Sequence, residues 1–303
     1  MQIKTYSDTS LSLITFLSAS AWGMYWFPLR IIESTGISSA WSVVIINACP
    51  IIILLPLFLF TYKNLQQNIK PVLFSALMIG MAFTFYANAL VETTIIKATL
   101  LFYLNPIIGT IIGLIWLSEK LTIARVISIL IAMFGLLMLL SEGQDSAHPL
   151  SIGDFYGFLS GLFWAVGAAS LNRWPNVPIV PLTGLIYLST TILSVLFATI
   201  FYNDPFPEIS LIISILPSSL FWSVIILLPG FMIIFKVSQF LFPGRVGILM
   251  MSEVIVAITS ASVLVPSEKM IIWQWIGAFA IIVAGLIEVV FGYTKENKTT
   301  TRI

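Results

Sequence analysis

Ten apolar stretches of spanning length run along the chain, at 11–31, 40–60, 72–91, 98–117, 124–140, 155–171, 182–201, 220–240, 246–265 and 271–291. About twenty residues at 1.5 Å rise cross a ~30 Å hydrocarbon core, so each stretch predicts a membrane-spanning helix. The alternating pattern of a barrel strand is absent, and hydrocarbon offers no water to unpaired backbone groups. The expected fold is therefore all-α and integral to the membrane. One stretch is not a plain apolar cylinder. Between Val246 and Val265 it carries Glu253 about a third of the way in, with Ser252, Thr259 and Ser260 forming a polar stripe. A carboxylate facing lipid there costs several kcal/mol, so Glu253 must face other helices or a wet cavity and be paired or protonated.

Composition agrees with a polytopic membrane protein: of 303 residues, 59% are hydrophobic and 9% charged, against about 25% charged in a soluble domain. The net charge of +1 comes without a basic patch, which argues against nucleic acid as a partner. Cys49 is the only cysteine and His148 the only histidine. That excludes an intrachain disulfide, a thiolate or imidazole metal cluster and a Cys/His nucleophilic pair. No G-x-x-x-x-G-K-[ST] loop is present, so the chain is not itself a P-loop pump, and no cofactor is implied. Met1 to Ser10 is too polar for a signal peptide, and the run after it reads as the first span and not a cleaved leader.

Lysine and arginine set the expected orientation. With the N-terminus cytoplasmic, Lys4, Lys63, Lys70, Lys120, Arg125, Arg173, Lys236, Arg245, Lys295, Lys298 and Arg302 lie inside, and only Arg30, Lys97 and Lys269 outside. The positive-inside bias then places both termini in the cytoplasm and the acidic loop Glu142 to Asp154 outside.

Internal repetition is visible. Phe16-Leu17-Ser18 and Trp22 in the first span recur as Phe158-Leu159-Ser160 and Trp164 in the sixth, an offset of 142. Lys97 matches Arg245 at an offset of 148, and Ser118-Glu119-Lys120 matches Ser267-Glu268-Lys269 at 149. Five spans per half give the halves opposite orientation. The expectation is two inverted five-helix repeats, 1–143 and 144–293, with 294–303 a cytoplasmic tail. In the sixth span Gly153, Gly157, Gly161, Ala165 and Ala169 recur every four residues, a ridge for close helix packing. Pro28, Pro50, Pro56, Pro106 and Pro229 each remove a helix hydrogen bond and permit a kink.

The stretch Ala98 to Leu140, ATLLFYLNPIIGTIIGLIWLSEKLTIARVISILIAMFGLLMLL, and its echo from Gly244 to Glu288 resemble the EamA family of the drug/metabolite transporter superfamily. The likeness spans nearly the whole chain. It implies a ten-helix bundle of two inverted repeats around a central cavity, and secondary transport of small metabolites, often export of amino acids. One departure matters: the arginine frequent in the second span of that family is missing, and Asn47 is the nearest polar residue.

Candidate cavity residues are Trp22, Tyr25, Trp26, Thr84, Tyr86, Asn88, Tyr103, Asn105, Trp164, Lys236 and Glu253. Gly80, Thr84 and Asn88 lie four apart, which predicts a polar groove on the third span. Lys236 is the lysine expected to reach Glu253, because the eighth and ninth spans are antiparallel neighbours; the alternative is that it snorkels to the headgroups. Glu268 and Glu288, near span ends, read as solvated or interfacial. The resulting expectation is a non-enzymatic transporter in the cytoplasmic membrane, working by alternating access on an amino acid or related compound, with a coupling proton or an exchanged metabolite. The rivals are a membrane-embedded enzyme or lipid-handling protein, and a structural subunit without flux.

Overall fold

The computed structural model describes residues 8–66, 68–93, 95–139, 151–264 and 271–291. The chain forms α1 (Asp8–Trp22), α2 (Trp26–Glu33), α3 (Ser39–Gln66), α4 (Ile69–Glu92), α5 (Ile95–Phe102), α6 (Asn105–Trp116), α7 (Ile123–Leu139) and α8 (Ile152–Arg173). There follow α9 (Ile179–Leu196), α10 (Ile209–Leu220), α11 (Leu228–Ser238), α12 (Pro243–Met250), α13 (Ser252–Leu264) and α14 (Ile272–Phe291). Phe197–Phe201 continues α9 as a π-helix, and Phe221–Leu227 joins α10 to α11 in the same way. Among the described residues there is no strand.

Among the described residues seven helical runs are long and apolar enough to span a bilayer: Ser39–Phe58, Ile69–Leu90, Ile152–Arg173, Ile179–Phe201, Ile209–Ser238, Pro243–Leu264 and Ile272–Phe291. The ten spans expected from hydropathy differ from this for a local reason. The stretches 11–31 and 98–117 are each divided, into α1 and α2 and into α5 and α6, while α7 has 17 residues. The eighth expected span begins earlier than residue 220, because helix runs on through Pro217 and a π-helical segment. Pro229 has no N–H for the Ile225 carbonyl four residues back, which lies inside that π-helical segment.

The main helix pairs are α4 with α8 and with α9, α7 with α14, α3 with α9, and α6 with α12, and α1 packs between α11 and α13. The glycine ridge on α8 is a packing face. A Cβ on Gly161 would approach the Phe102 carbonyl to 2.6 Å, and one on Gly157 would meet Leu101 at 3.2 Å. Outward faces are apolar, as at Leu130, Phe134 and Leu137 of α7 and Phe279, Leu286 and Val290 of α14. Buried hydroxyls close on their own helices: Thr15 donates to the Leu11 carbonyl at 2.8 Å, Thr183 to Ile179 at 2.8 Å and Thr190 to Ile186 at 2.9 Å. Such bonds satisfy groups for which hydrocarbon has no partner.

Two expectations about charged and polar side chains are corrected by this packing. Glu288 is fully buried, and Arg125 donates to it at 2.8 Å and to Glu119 at 2.6 Å. Arg245 approaches the same carboxylate at 3.6 Å and bonds the Glu288 carbonyl at 3.2 Å. Glu288 is therefore not a solvated span end but the centre of an ion cluster joining α7, α12, α14 and the α6–α7 turn. Burial raises the Glu119 carboxyl above its ordinary range, and Arg125 opposes that shift. The groove expected along Gly80, Thr84 and Asn88 is filled: Thr84 donates to Gly80, Asn88 to Thr84, and Ser189 of α9 sits against Gly80. Glu142, Glu268, Lys269 and the tail 294–303 lie outside the described residues.

Candidate functional site

Three helix interruptions meet inside the bundle, and each has an identifiable cause. Between α1 and α2 the backbone tightens to i→i+3 bonds, Tyr25 N–H to Trp22 at 2.8 Å and Phe27 N–H to Met24 at 3.1 Å, just before Pro28. Between α5 and α6, Pro106 has no N–H for the Phe102 carbonyl four residues back. The Asn105 side-chain amide takes that place at 3.0 Å. Between α12 and α13 no proline intervenes. Met251 N–H bonds Ile248 at 3.2 Å and Val254 N–H bonds Met251 at 3.1 Å, which leaves the Met250 carbonyl without its helical donor. The Tyr103 hydroxyl donates to that carbonyl at 3.2 Å.

The interruptions also hold one another. Ser252 Oγ donates to the Phe16 carbonyl of α1 at 2.7 Å, and Trp26 Nε1 donates to Ser260 of α13 at 3.0 Å. Gly23 lies so close to α13 that a Cβ there would come within 2.7 Å of the Val256 Cβ. Only glycine permits that approach.

A narrow cavity opens beside this junction, lined by Trp22, Tyr25, Asn47, Ala82, Phe83, Tyr86, Ala87, Phe102, Trp164, Phe231, Met250 and Glu253. Its space is about 30 Å³, on the scale of one or two waters. The walls are chiefly aromatic. Phe83 lies between the two tryptophans, with ring centroids 6.0 Å from Trp22 and 6.0 Å from Trp164, stacked on both. Trp22 also stacks on Tyr25 at 4.6 Å and meets Phe231 edge-on at 3.7 Å. Polar groups are few. Asn47 donates to the Val43 carbonyl at 2.8 Å and to the Tyr25 hydroxyl at 3.4 Å. Trp164 Nε1 is buried without a partner. Glu253, in the first turn of α13, is buried and faces the Tyr103 hydroxyl. A first-turn carboxylate gains modestly from the helix dipole.

Of the residues singled out from sequence, Trp22, Tyr25, Tyr86, Trp164 and Glu253 line the cavity. Trp26, Tyr103 and Asn105 instead secure the interruptions, and Thr84 and Asn88 close on their own helix. Lys236 stands apart. It is exposed, donates to Gln239 at 2.8 Å and lies 5.0 Å over the Phe240 ring, so the expected pair with Glu253 does not form. Equal depth on neighbouring helices placed the two at one level, but Lys236 projects from the outer side of α11. Asn47, Ala82, Phe83, Ala87, Phe102, Phe231 and Met250 were not anticipated as wall residues. The spacing of Phe83, Tyr86 and Ala87, at i, i+3 and i+4 on α4, is an unused signal that could have found their common face. For Phe231 and Met250 no sequence signal separates cavity from core.

A helical bundle with seven apolar spans among its described residues, and an internal aromatic cavity lined by the carboxylate of Glu253, is a multi-pass membrane protein. Residues 9–141 match the model of the EamA-like transporter family, which lies within the drug/metabolite transporter superfamily. No curated protein matches the chain. A solved crystal structure superposes with a TM-score of 0.71 at 18% identity, over 93% of this chain and 96% of its own. At that identity the likeness is one of fold.

Proposed function

We propose that the protein is a secondary transporter that moves a small polar or amphipathic metabolite across the cytoplasmic membrane by alternating access. The observation that carries this reading is the cavity at the junction of three interrupted helices, since discontinuous helices near the bilayer midplane are where transporters bind substrate. Its small volume fits a closed conformation that must open to admit substrate. The family match supports transport of a small molecule, and export of amino acids or related compounds is what the resemblance adds.

Two inverted repeats, 1–143 and 144–293, are part of the same reading. In support, α3 packs on α9, α6 on α12 and α7 on α14, and in an inverted-repeat arrangement these are counterparts meeting across a pseudo-two-fold axis. Tyr103 and Met251, both at interruptions, are separated by the offset of 148 found in the sequence. Both termini are assigned to the cytoplasm from the lysine and arginine bias.

Purified protein in proteoliposomes, assayed for uptake and counterflow of labelled amino acids, amines and other small metabolites, tests the reading. Saturable flux absent from empty vesicles supports it. Absence of flux for every compound, with protein shown to be folded and inserted, overturns it.

A further inference from the structure

We propose that the cavity takes a small organic cation, an amine or quaternary ammonium with an apolar body, in preference to a zwitterionic amino acid. This rests on the transporter reading and names the substrate class of the same site. Among the described residues the cavity wall holds one carboxylic acid, Glu253, and no lysine, arginine or histidine. A charge in the hydrocarbon layer is expected to pair, and among the described residues Glu253 has no cationic partner. Lys236, the sequence-based candidate, is exposed and occupied by Gln239.

Ring faces are the other component. Trp22, Tyr25, Phe83 and Trp164 form a chain of stacked rings on the wall, at centroid separations of 4.6 to 6.0 Å. Aromatic faces attract cations through the ring quadrupole, and cages of such rings recognise quaternary ammonium groups. The carboxylate of a zwitterion would meet no positive group there. The amide of Asn47, also on the wall, is committed to Val43 and Tyr25. A cation therefore finds both its counter-charge and its solvation in the cavity, whereas an amino acid finds them for one end only.

The test compares ligands on the full-length protein in detergent, by intrinsic tryptophan fluorescence and thermal shift. The probes are choline and phenyltrimethylammonium, the neutral alcohol 3,3-dimethylbutan-1-ol, which has the shape of choline without its charge, and phenylalanine as zwitterion. The expected result is saturable binding of the cations, with choline at least about tenfold tighter than the alcohol, and loss of that margin in Glu253→Gln. Equal binding of alcohol and choline, tighter binding of phenylalanine, or no saturable cation binding would overturn the assignment. If Glu253→Gln fails to insert, the wild-type comparison of choline with the alcohol decides alone. Flux separates this proposal from the one beneath it. Phenylalanine transport without cation binding refutes the substrate class and leaves the transporter standing, whereas charge-selective binding with no flux of any bound cation upholds the class and refutes the transporter.

Discussion

The hydroxyl of Tyr103 donates to the carbonyl of Met250 at 3.2 Å, across 147 positions of sequence, and so joins the interruption between α5 and α6 to that between α12 and α13. Tightening of the backbone at Met251 leaves the Met250 carbonyl without a helical donor, and in a buried, apolar setting that vacancy is costly. Tyr103 thereby makes a proline-free interruption tolerable.

Tyr103→Phe removes only that hydroxyl. Leaving the buried carbonyl unpaired should cost about 1–3 kcal/mol, read as a lowered unfolding temperature in detergent, with reduced flux because the junction beside the cavity loosens. Unchanged stability together with unchanged flux would mean that the carbonyl finds another donor.

The helices were legible because hydrophobic runs of spanning length leave few alternatives. Two of the interruptions were half legible, since Pro28 and Pro106 mark them. The third was not, because no proline marks it and the tyrosine that satisfies its freed carbonyl lies in the other half of the chain. Glu253 stood out as a carboxylate in an apolar run. Its environment did not, because depth along two neighbouring spans leaves their rotation undetermined, and Lys236 faces away. Glu288 was misread for a related reason: a charge near a span end is ordinarily solvated, and its partner Arg125 lies 163 positions away.

The cluster around Glu288 should be costly to disturb. Glu288→Gln would leave Arg125 and Arg245 buried beside a neutral amide, and removing one member of a buried ion pair costs about 3–5 kcal/mol. A large drop in detergent unfolding temperature is the expected outcome. A shift too small to measure would show that solvent reaches the cluster and replaces the lost charge.

Trp164→Phe tests the aromatic wall without emptying it. Trp164 is 2% exposed, so truncation to alanine would confound function with a core cavity costing about 3–5 kcal/mol. Phenylalanine keeps a ring for Phe83 to stack on and removes the unpartnered Nε1. Affinity for substrate should fall, with stability changed much less. Equal loss of folding and flux would assign the ring to packing.

Orientation is open to a direct check. A reporter fused after Ile303 should be active in the cytoplasm, given eleven lysines and arginines assigned inside against three outside. Activity confined to the outer face would reverse the assignment of every loop.

Glu253→Gln is the sharpest substitution, because glutamine keeps the shape of the side chain and one acceptor oxygen while removing its charge and its proton exchange. A carboxylate that alternates between a proton and a charged ligand makes flux depend on pH, whereas an amide cannot titrate. The variant should insert and fold, since Tyr103 and the first turn of α13 still offer polar partners, and it should lose most driven transport while its residual flux becomes flat across the neutral pH range. Parallel pH profiles of wild type and variant in proteoliposomes measure this. Wild-type rates with an unchanged profile would make Glu253 a structural hydrogen-bonding group at the junction, and the coupling role would pass to another residue.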